Sequence, residues 1–286
     1  MSNAIINSPL VSIQWLADNL DAENLVILDA SMQPVTPVAR DSSQEESTCI
    51  KGAKRFDFDN DIRDKNTHLP HMMPSPEFFT EEMQKLGINK DSAIVAYDRV
   101  GVYSSPRVWW MFRAMGHRQV AVLDGGLPAW KKAGFACDTH PMTSAEHRGN
   151  FISKPQDGLF YDSAHVLAAL SGPGFAVLDA RSNGRFKSTE PEPRAGLRPG
   201  HMPNSINLPY AHVVVDGFIL PTKKLGALYS KLVNHEQKLI FSCGSGVTAC
   251  ITALAAELAG YSNIAVYDGS WSEWGLPSSG SPVETG

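Results

Sequence analysis

One block of sequence occurs twice in this chain. Val26-Ile27-Leu28-Asp29-Ala30 returns as Val177-Leu178-Asp179-Ala180-Arg181, and Ala93-Ile94-Val95-Ala96-Tyr97-Asp98 returns as Lys238-Leu239-Ile240-Phe241-Ser242-Cys243. Val120-Ala121-Val122-Leu123-Asp124-Gly125-Gly126 returns as Ile264-Ala265-Val266-Tyr267-Asp268-Gly269-Ser270, and Trp130 returns as Trp274. The separation shrinks from 150 residues at the first block to 144 at the last, while the order never changes. Two copies are too few for a solenoid, so the repeat unit is a domain. The 286 residues suit two domains of about 140 each. The expected division is 1–140, a polar linker 141–157, and 158–286.

Each copy alternates short apolar strands with amphipathic helices. The strands are nearly continuous in apolar character, as in parallel strands covered on both faces. Val108, Met111, Phe112 and Met115 fall at helical spacing before Gly116; Ile251, Leu254, Ala255 and Leu258 do so before Gly260. Each half is therefore expected to be α/β, a mostly parallel sheet flanked by helices.

Composition removes several functions. A net charge of -5 lacks the basic footprint that nucleic acid requires. No apolar run approaches the roughly 20 residues of a membrane span. Met1-Ser2-Asn3-Ala4 lacks the regions of a signal peptide, which predicts a cytoplasmic protein. Cys49, Cys137, Cys243 and Cys250 form no CxxC pair and no zinc-type cluster, so free thiols in a reducing compartment are expected, with no metal and no organic cofactor.

The chemistry concentrates at Cys243-Gly244-Ser245-Gly246-Val247-Thr248, between a predicted strand (238–242) and a predicted helix (248–259). Glycines let the backbone curl so that N–H groups point inward, and the helix dipole adds partial positive charge. A thiol there should have a lowered pKa and act as a nucleophile. An isolated cysteine at a strand end would read as a structural thiol. The first copy argues otherwise: Asp98 stands at the matching place, followed by Arg99-Val100-Gly101-Val102-Tyr103, and the glycine pattern of the loop reads as lost. The fold therefore does not need the thiol. Cys250 reads as a small buried hydrophobe, Trp130, Trp271 and Trp274 as packing, and Asp29 and Asp179 as turn or cap acceptors. Arg181 and Arg198 read as surface charge.

The sequence resembles the tandem-domain rhodanese superfamily, and within it the branch that uses 3-mercaptopyruvate. The resemblance covers nearly the whole chain. Its specific parts are the Cys243–Thr248 loop, Gly184-Arg185-Phe186 with Thr189-Glu190-Pro191-Glu192-Pro193-Arg194, Gly200-His201-Met202-Pro203, Ser105-Pro106-Arg107-Val108-Trp109-Trp110, and Tyr267-Asp268-Gly269-Ser270-Trp271-Ser272-Glu273-Trp274. It implies two rhodanese-like domains, the second catalytic, with the site in the cleft between them. One departure is Cys49-Ile50-Lys51-Gly52-Ala53, where the family has a Gly-His-Ile-Pro-Gly type of segment.

The resemblance further implies that Cys243 carries a persulfide and that Arg185 and Arg194 hold the donor carboxylate. Ser245, His71 and Asp59 would form a proton relay. Gly244, Gly246, Val247, Thr248 and Tyr103 would line the donor site. Family members that use thiosulfate carry two cations where this chain has neutral Gly244 and Ser245, which favours a carboxylate donor. The expected acceptor is a thiol partner such as thioredoxin, or cyanide in an assay, and the chain is expected to be a monomer. Thiosulfate sulfur transfer is the nearest alternative. A non-catalytic binding module suits the first copy alone. A cysteine phosphatase would need an arginine six residues after Cys243, where Ala249 stands.

Overall fold

A computed structural model describes residues 3–35 and 48–286; Met1 and Ser2 of the N-terminal segment read above lie outside the described residues. The chain forms two compact units. The first comprises 1–64, 73–156 and 216–218, and the second comprises 65–72, 157–215 and 219–286.

The first unit carries a five-stranded parallel sheet of β1 (Leu10–Val11), β2 (Leu25–Asp29), β3 (Lys54–Arg55), β4 (Ala93–Tyr97) and β5 (Val120–Leu123), in spatial order β1-β5-β4-β2-β3. The second carries β6 (Phe160–Tyr161), β7 (Phe175–Asp179), β8 (Ile206–Asn207), β9 (Lys238–Ser242) and β10 (Ile264–Tyr267), in order β6-β10-β9-β7-β8, again parallel throughout. The two orders are the same path taken twice, as the sequence repeat requires. Parallel neighbours demand crossovers, and the helices supply them. They are α1 (Ile13–Asp18), α2 (Pro76–Lys85), α3 (Ser105–Ala114) and α4 (Gly126–Lys132) in the first unit. The second has α5 (Ser163–Ala169), α6 (Asn183–Phe186), α7 (Thr222–Tyr229), α8 (Thr248–Leu258) and α9 (Ser270–Trp274).

The central strands β4 and β9 are buried almost end to end, which is why they read as continuous apolar runs. Helix α8 is buried from Ala249 to Ala256, and small residues let it press against the sheet. Trp130 closes the core of the first unit, and Trp271 and Trp274 that of the second. The predicted packing role of all three holds.

The structure differs from the expected division at residues 141–156, 65–72 and 216–218. Residues 141–156, read as linker, pack as part of the first unit. Phe151 is 1% exposed and packs edge-on to Phe79 and Phe112, with centroids 5.8 Å and 5.9 Å away. Burying that ring is worth about 1.5–3 kcal/mol, enough to tie down a short polar segment. Backbone bonds from Gly149 to Gln84 and from Lys154 to Met115 hold either side of it. Separately, residues 65–72 belong to the second unit although their sequence position falls in the first copy. Among the described residues no helix is long and apolar enough to cross a membrane.

Candidate active site

The strand β9 ends at Ser242, and α8 begins at Thr248 with Val247 as its N-cap, so the loop between them is short and fully committed. Helix α9 seats it. Trp271 N–H donates to Cys243 O at 3.0 Å, and Ser272 donates to Gly244 O through its N–H at 2.8 Å and its hydroxyl at 2.7 Å. Cys243 N–H donates to Ser270 Oγ at 3.1 Å, and that hydroxyl donates to Tyr267 O at 2.8 Å. Ser270 has φ 48°, left-handed for a residue with a side chain. Such backbone costs on the order of 1 kcal/mol. The matching residue of the first copy is Gly126, at φ 53°, so the turn is built into the fold. The replacement of glycine by serine within the repeat is the signal that could have marked Ser270 as a holder of the Cys243 backbone.

The first unit displays what this loop shape accommodates. Asp98 is fully buried at the position of Cys243, and its carboxylate fills the loop. Oδ1 accepts from the N–H groups of Val100 (3.0 Å) and Gly101 (3.2 Å). Oδ2 accepts from the N–H groups of Tyr103, Ser104 and Ser105, each at 2.9 Å, and from the Ser105 hydroxyl at 2.7 Å. Burial pushes the Asp98 carboxyl up from its ordinary value, and the donors of Ser105 and Tyr103 oppose that push. The cradle expected from the sequence is thus present in the first copy with a side-chain carboxylate inside it. The glycine pattern is also better kept than the sequence reading held: Gly101 and Gly246 are counterparts, with φ 124° and 75°. Only glycine takes such conformations without strain.

Cys243 is 2% exposed, and Ser245 is 5% exposed. His71 is buried and lies in the same unit, within reach of Ser245. Its Nδ1 sits 3.0 Å from Ser245 Oγ and 3.3 Å from Ser245 O. A carbonyl oxygen only accepts, so both contacts are satisfied when the ring proton is on Nδ1. His71 has φ 62°, a left-handed conformation that aims its ring at the loop.

Arg185 and Arg194 converge on the same loop. A Cβ built on Gly244 would lie 3.1 Å from Nη2 of Arg185 and 3.6 Å from Nη1 of Arg194. Glycine at 244 leaves Arg185 room, while Arg194 would meet such a Cβ only at ordinary contact distance. Arg185 also pairs with a glutamate: Glu192 Oε2 accepts from Arg185 Nη2 at 2.6 Å, and Oε1 from Nε at 3.2 Å.

Arg181, read as surface charge, is buried. It forks onto Asp179 (2.6 Å from Nη2 to Oδ2), donates to Glu192 (2.8 Å), and stacks 4.0 Å above the Trp271 ring. Burial works against its charge, but Asp179 and Glu192 more than compensate and leave its pKa raised. Asp179 also accepts Arg181 N–H at 2.9 Å, and Asp29 accepts Ser31 N–H at 2.9 Å, the turn roles expected of both. Arg198, also read as surface charge, donates to the carbonyls of Trp274 and Ser281. The single arginines were illegible because nothing local in sequence says which carboxylate reaches them.

Asp59 and Tyr103 belong to the first unit. Asp59 N–H donates to Asp57 Oδ1 at 3.1 Å, and Tyr103 supplies one of the Asp98 bonds. The four cysteines are free. Cys250 Sγ lies 3.2 Å from Gly246 O, inside α8, as a buried small residue should. Burial, with Asp29 and Asp138 nearby, pushes the Cys49 thiol up to about 11. Alkylation of the folded protein at neutral pH, mapped by peptide mass spectrometry, should therefore modify exposed Cys137 and spare Cys49 and Cys250. Labelling of Cys49 at the rate of Cys137 would contradict this environment.

The Rhodanese-like domain family matches residues 12–133 and 163–276. The chain belongs to the rhodanese-like family. Among its relatives, a human 3-mercaptopyruvate sulfurtransferase is 38% identical over 277 residues, covering 93% of this chain and 91% of that protein. A rat thiosulfate sulfurtransferase is 40% identical over 287 residues, covering 96% and 94%. The crystal structure of SseA from Escherichia coli, described in terms of the rhodanese fold and 3-mercaptopyruvate chemistry, superposes with a TM-score of 0.80 at 33% identity. It covers 93% of this rhodanese and 100% of the other chain. Identity alone does not choose between the two donors, because both kinds of relative stand at similar levels. The choice rests on the loop and the arginines.

Proposed function

We propose that this chain is a 3-mercaptopyruvate sulfurtransferase. The observation that carries the reading is the convergence of Arg185 and Arg194 on Gly244, next to the nucleophile and in a loop without cations. Planar guanidinium groups suit a carboxylate, and glycine at 244 spares Arg185 the tight contact that a Cβ would make with it. The Cys243 thiolate attacks the donor sulfur. An S–S bond forms, the C–S bond breaks, and its electron pair becomes the enolate of pyruvate. Asp98 shows how a loop of this shape takes negative charge: the counterparts of its donors in the second copy include the N–H groups of Ser245, Thr248 and Ala249, which by that analogy would face a Cys243 persulfide. A thiol acceptor such as thioredoxin, or cyanide in an assay, then removes the outer sulfur.

The enolate must gain a proton. Ser245 Oγ delivers it and is resupplied from His71 Nδ1–H while His71 Nε2 takes up a proton in exchange, so the ring ends neutral in its other tautomer. Asp59 as the third member of that relay, and Tyr103 with Val247 and Thr248 as donor contacts, rest on the resemblance. The four free thiols suit a reducing compartment such as the cytoplasm.

The test compares kcat/KM for 3-mercaptopyruvate and for thiosulfate with cyanide as acceptor. The first should exceed the second clearly, and a thiosulfate preference overturns the donor assignment. The relay has its own test. Ser245→Ala should lower kcat with mercaptopyruvate by about 10²-fold or more, the usual contribution of a positioned proton donor. Thiosulfate turnover releases sulfite and needs no such proton, so it should be spared. An equal loss with both donors would assign Ser245 to loop structure alone.

A further inference from the structure

Between Pro191 and Pro193, Glu192 is held extended, since a residue before proline is excluded from the helical region. Its carboxylate is 4% exposed and is shared by two guanidinium groups, Arg181 from one side and Arg185 from the other. Arg185 in turn stands against Gly244 beside Arg194, and Arg181 is anchored on Asp179 and on the ring of Trp271, the residue whose backbone N–H donates to Cys243 O. One side chain thus links the donor-binding arginines to the seat of the nucleophile. The neighbouring Glu190 does not share this role: it is exposed and accepts from Ser182 Oγ.

The charges of this group can be counted. Arg181 and Arg185 bring two positive charges and Asp179 and Glu192 two negative ones, so Glu192 offsets a charge that would otherwise add to the pull on the donor. This ion-pair chain is mostly out of water, where charge is poorly screened and such a balance is felt.

We propose that Glu192 is a positioning residue that sets donor charge: it fixes Arg185 at the loop and trims the arginine cluster to suit a donor with a single negative charge over a doubly charged one. This rests on the donor reading above but fails separately from it. The donor reading stands or falls on the wild-type preference; the present inference stands or falls on how that preference changes with residue 192.

The experiment measures both donors, with cyanide as acceptor, in the wild type, Glu192→Gln and Glu192→Asp. The amide keeps size and one acceptor but loses the charge. It should raise KM for 3-mercaptopyruvate about tenfold with kcat little changed, and leave kcat/KM for thiosulfate unchanged or higher. The donor ratio then moves by about tenfold or more toward thiosulfate. Glu192→Asp keeps the charge and should keep the wild-type ratio even where KM rises. A merely structural role would lower both donors by the same factor in Glu192→Gln, and that result overturns the proposal. So does a Glu192→Asp enzyme whose ratio shifts as far as that of the amide.

Discussion

Cys243→Ser is expected to lose sulfur transfer with either donor by at least about four orders of magnitude, the scale seen when a catalytic nucleophile is removed. The hydroxyl keeps the size and the hydrogen-bonding character of the thiol, so the loop seat made by Ser270, Trp271 and Ser272 should survive. What disappears is the thiolate. A serine hydroxyl is not ionised at neutral pH and is a far weaker nucleophile than a thiolate. The measurement is thiocyanate formation, together with intact mass of the protein after incubation with 3-mercaptopyruvate. The wild type should gain one sulfur atom on Cys243 and the variant none. A variant that still transfers sulfur would return the chain to the class of binding modules that happen to carry a thiol.

Asp98→Asn should be the most destabilising single change in the first unit, by about 3–5 kcal/mol. The carboxylate accepts five backbone N–H groups and one hydroxyl. An amide offers one oxygen. If that oxygen takes the place of Oδ2, the NH₂ faces the N–H groups of Val100 and Gly101, donor against donor. The opposite orientation sets the NH₂ against four donors. Either way buried N–H groups are left without acceptors in a fully buried site. Urea unfolding followed by far-UV circular dichroism reads the loss. A change below about 1 kcal/mol would mean that the loop relaxes around the amide.

The duplication made most of the fold legible. Two copies of β-strand and helix in one order leave little freedom of topology once parallel strands and right-handed crossovers are required. The nucleophile was legible for a related reason: the copy with Asp98 showed that the position tolerates other chemistry. What escaped was everything that depends on partners distant in sequence. Arg181 looks like any arginine until Asp179, Glu192 and Trp271 are brought around it. Phe151 sits in a polar stretch, and only the aromatic cluster of Phe79 and Phe112 reveals why that stretch is not a tether. Ser270 could have been found, since its counterpart Gly126 is left-handed and serine there needs a reason.

His71 carries a consequence for how such a chain can be divided. Residues 65–72 complete the second unit from within the sequence of the first copy, and residues 216–218 do the reverse. A fragment cut cleanly at residue 157 would keep Cys243, Ser245 and both donor arginines yet lack the imidazole that meets Ser245. The complementary fragment would carry that imidazole without its serine. Each half is thus short of a piece held by the other, so a gene that lost either half would not inherit a working domain. Either unit therefore draws on both stretches of the sequence.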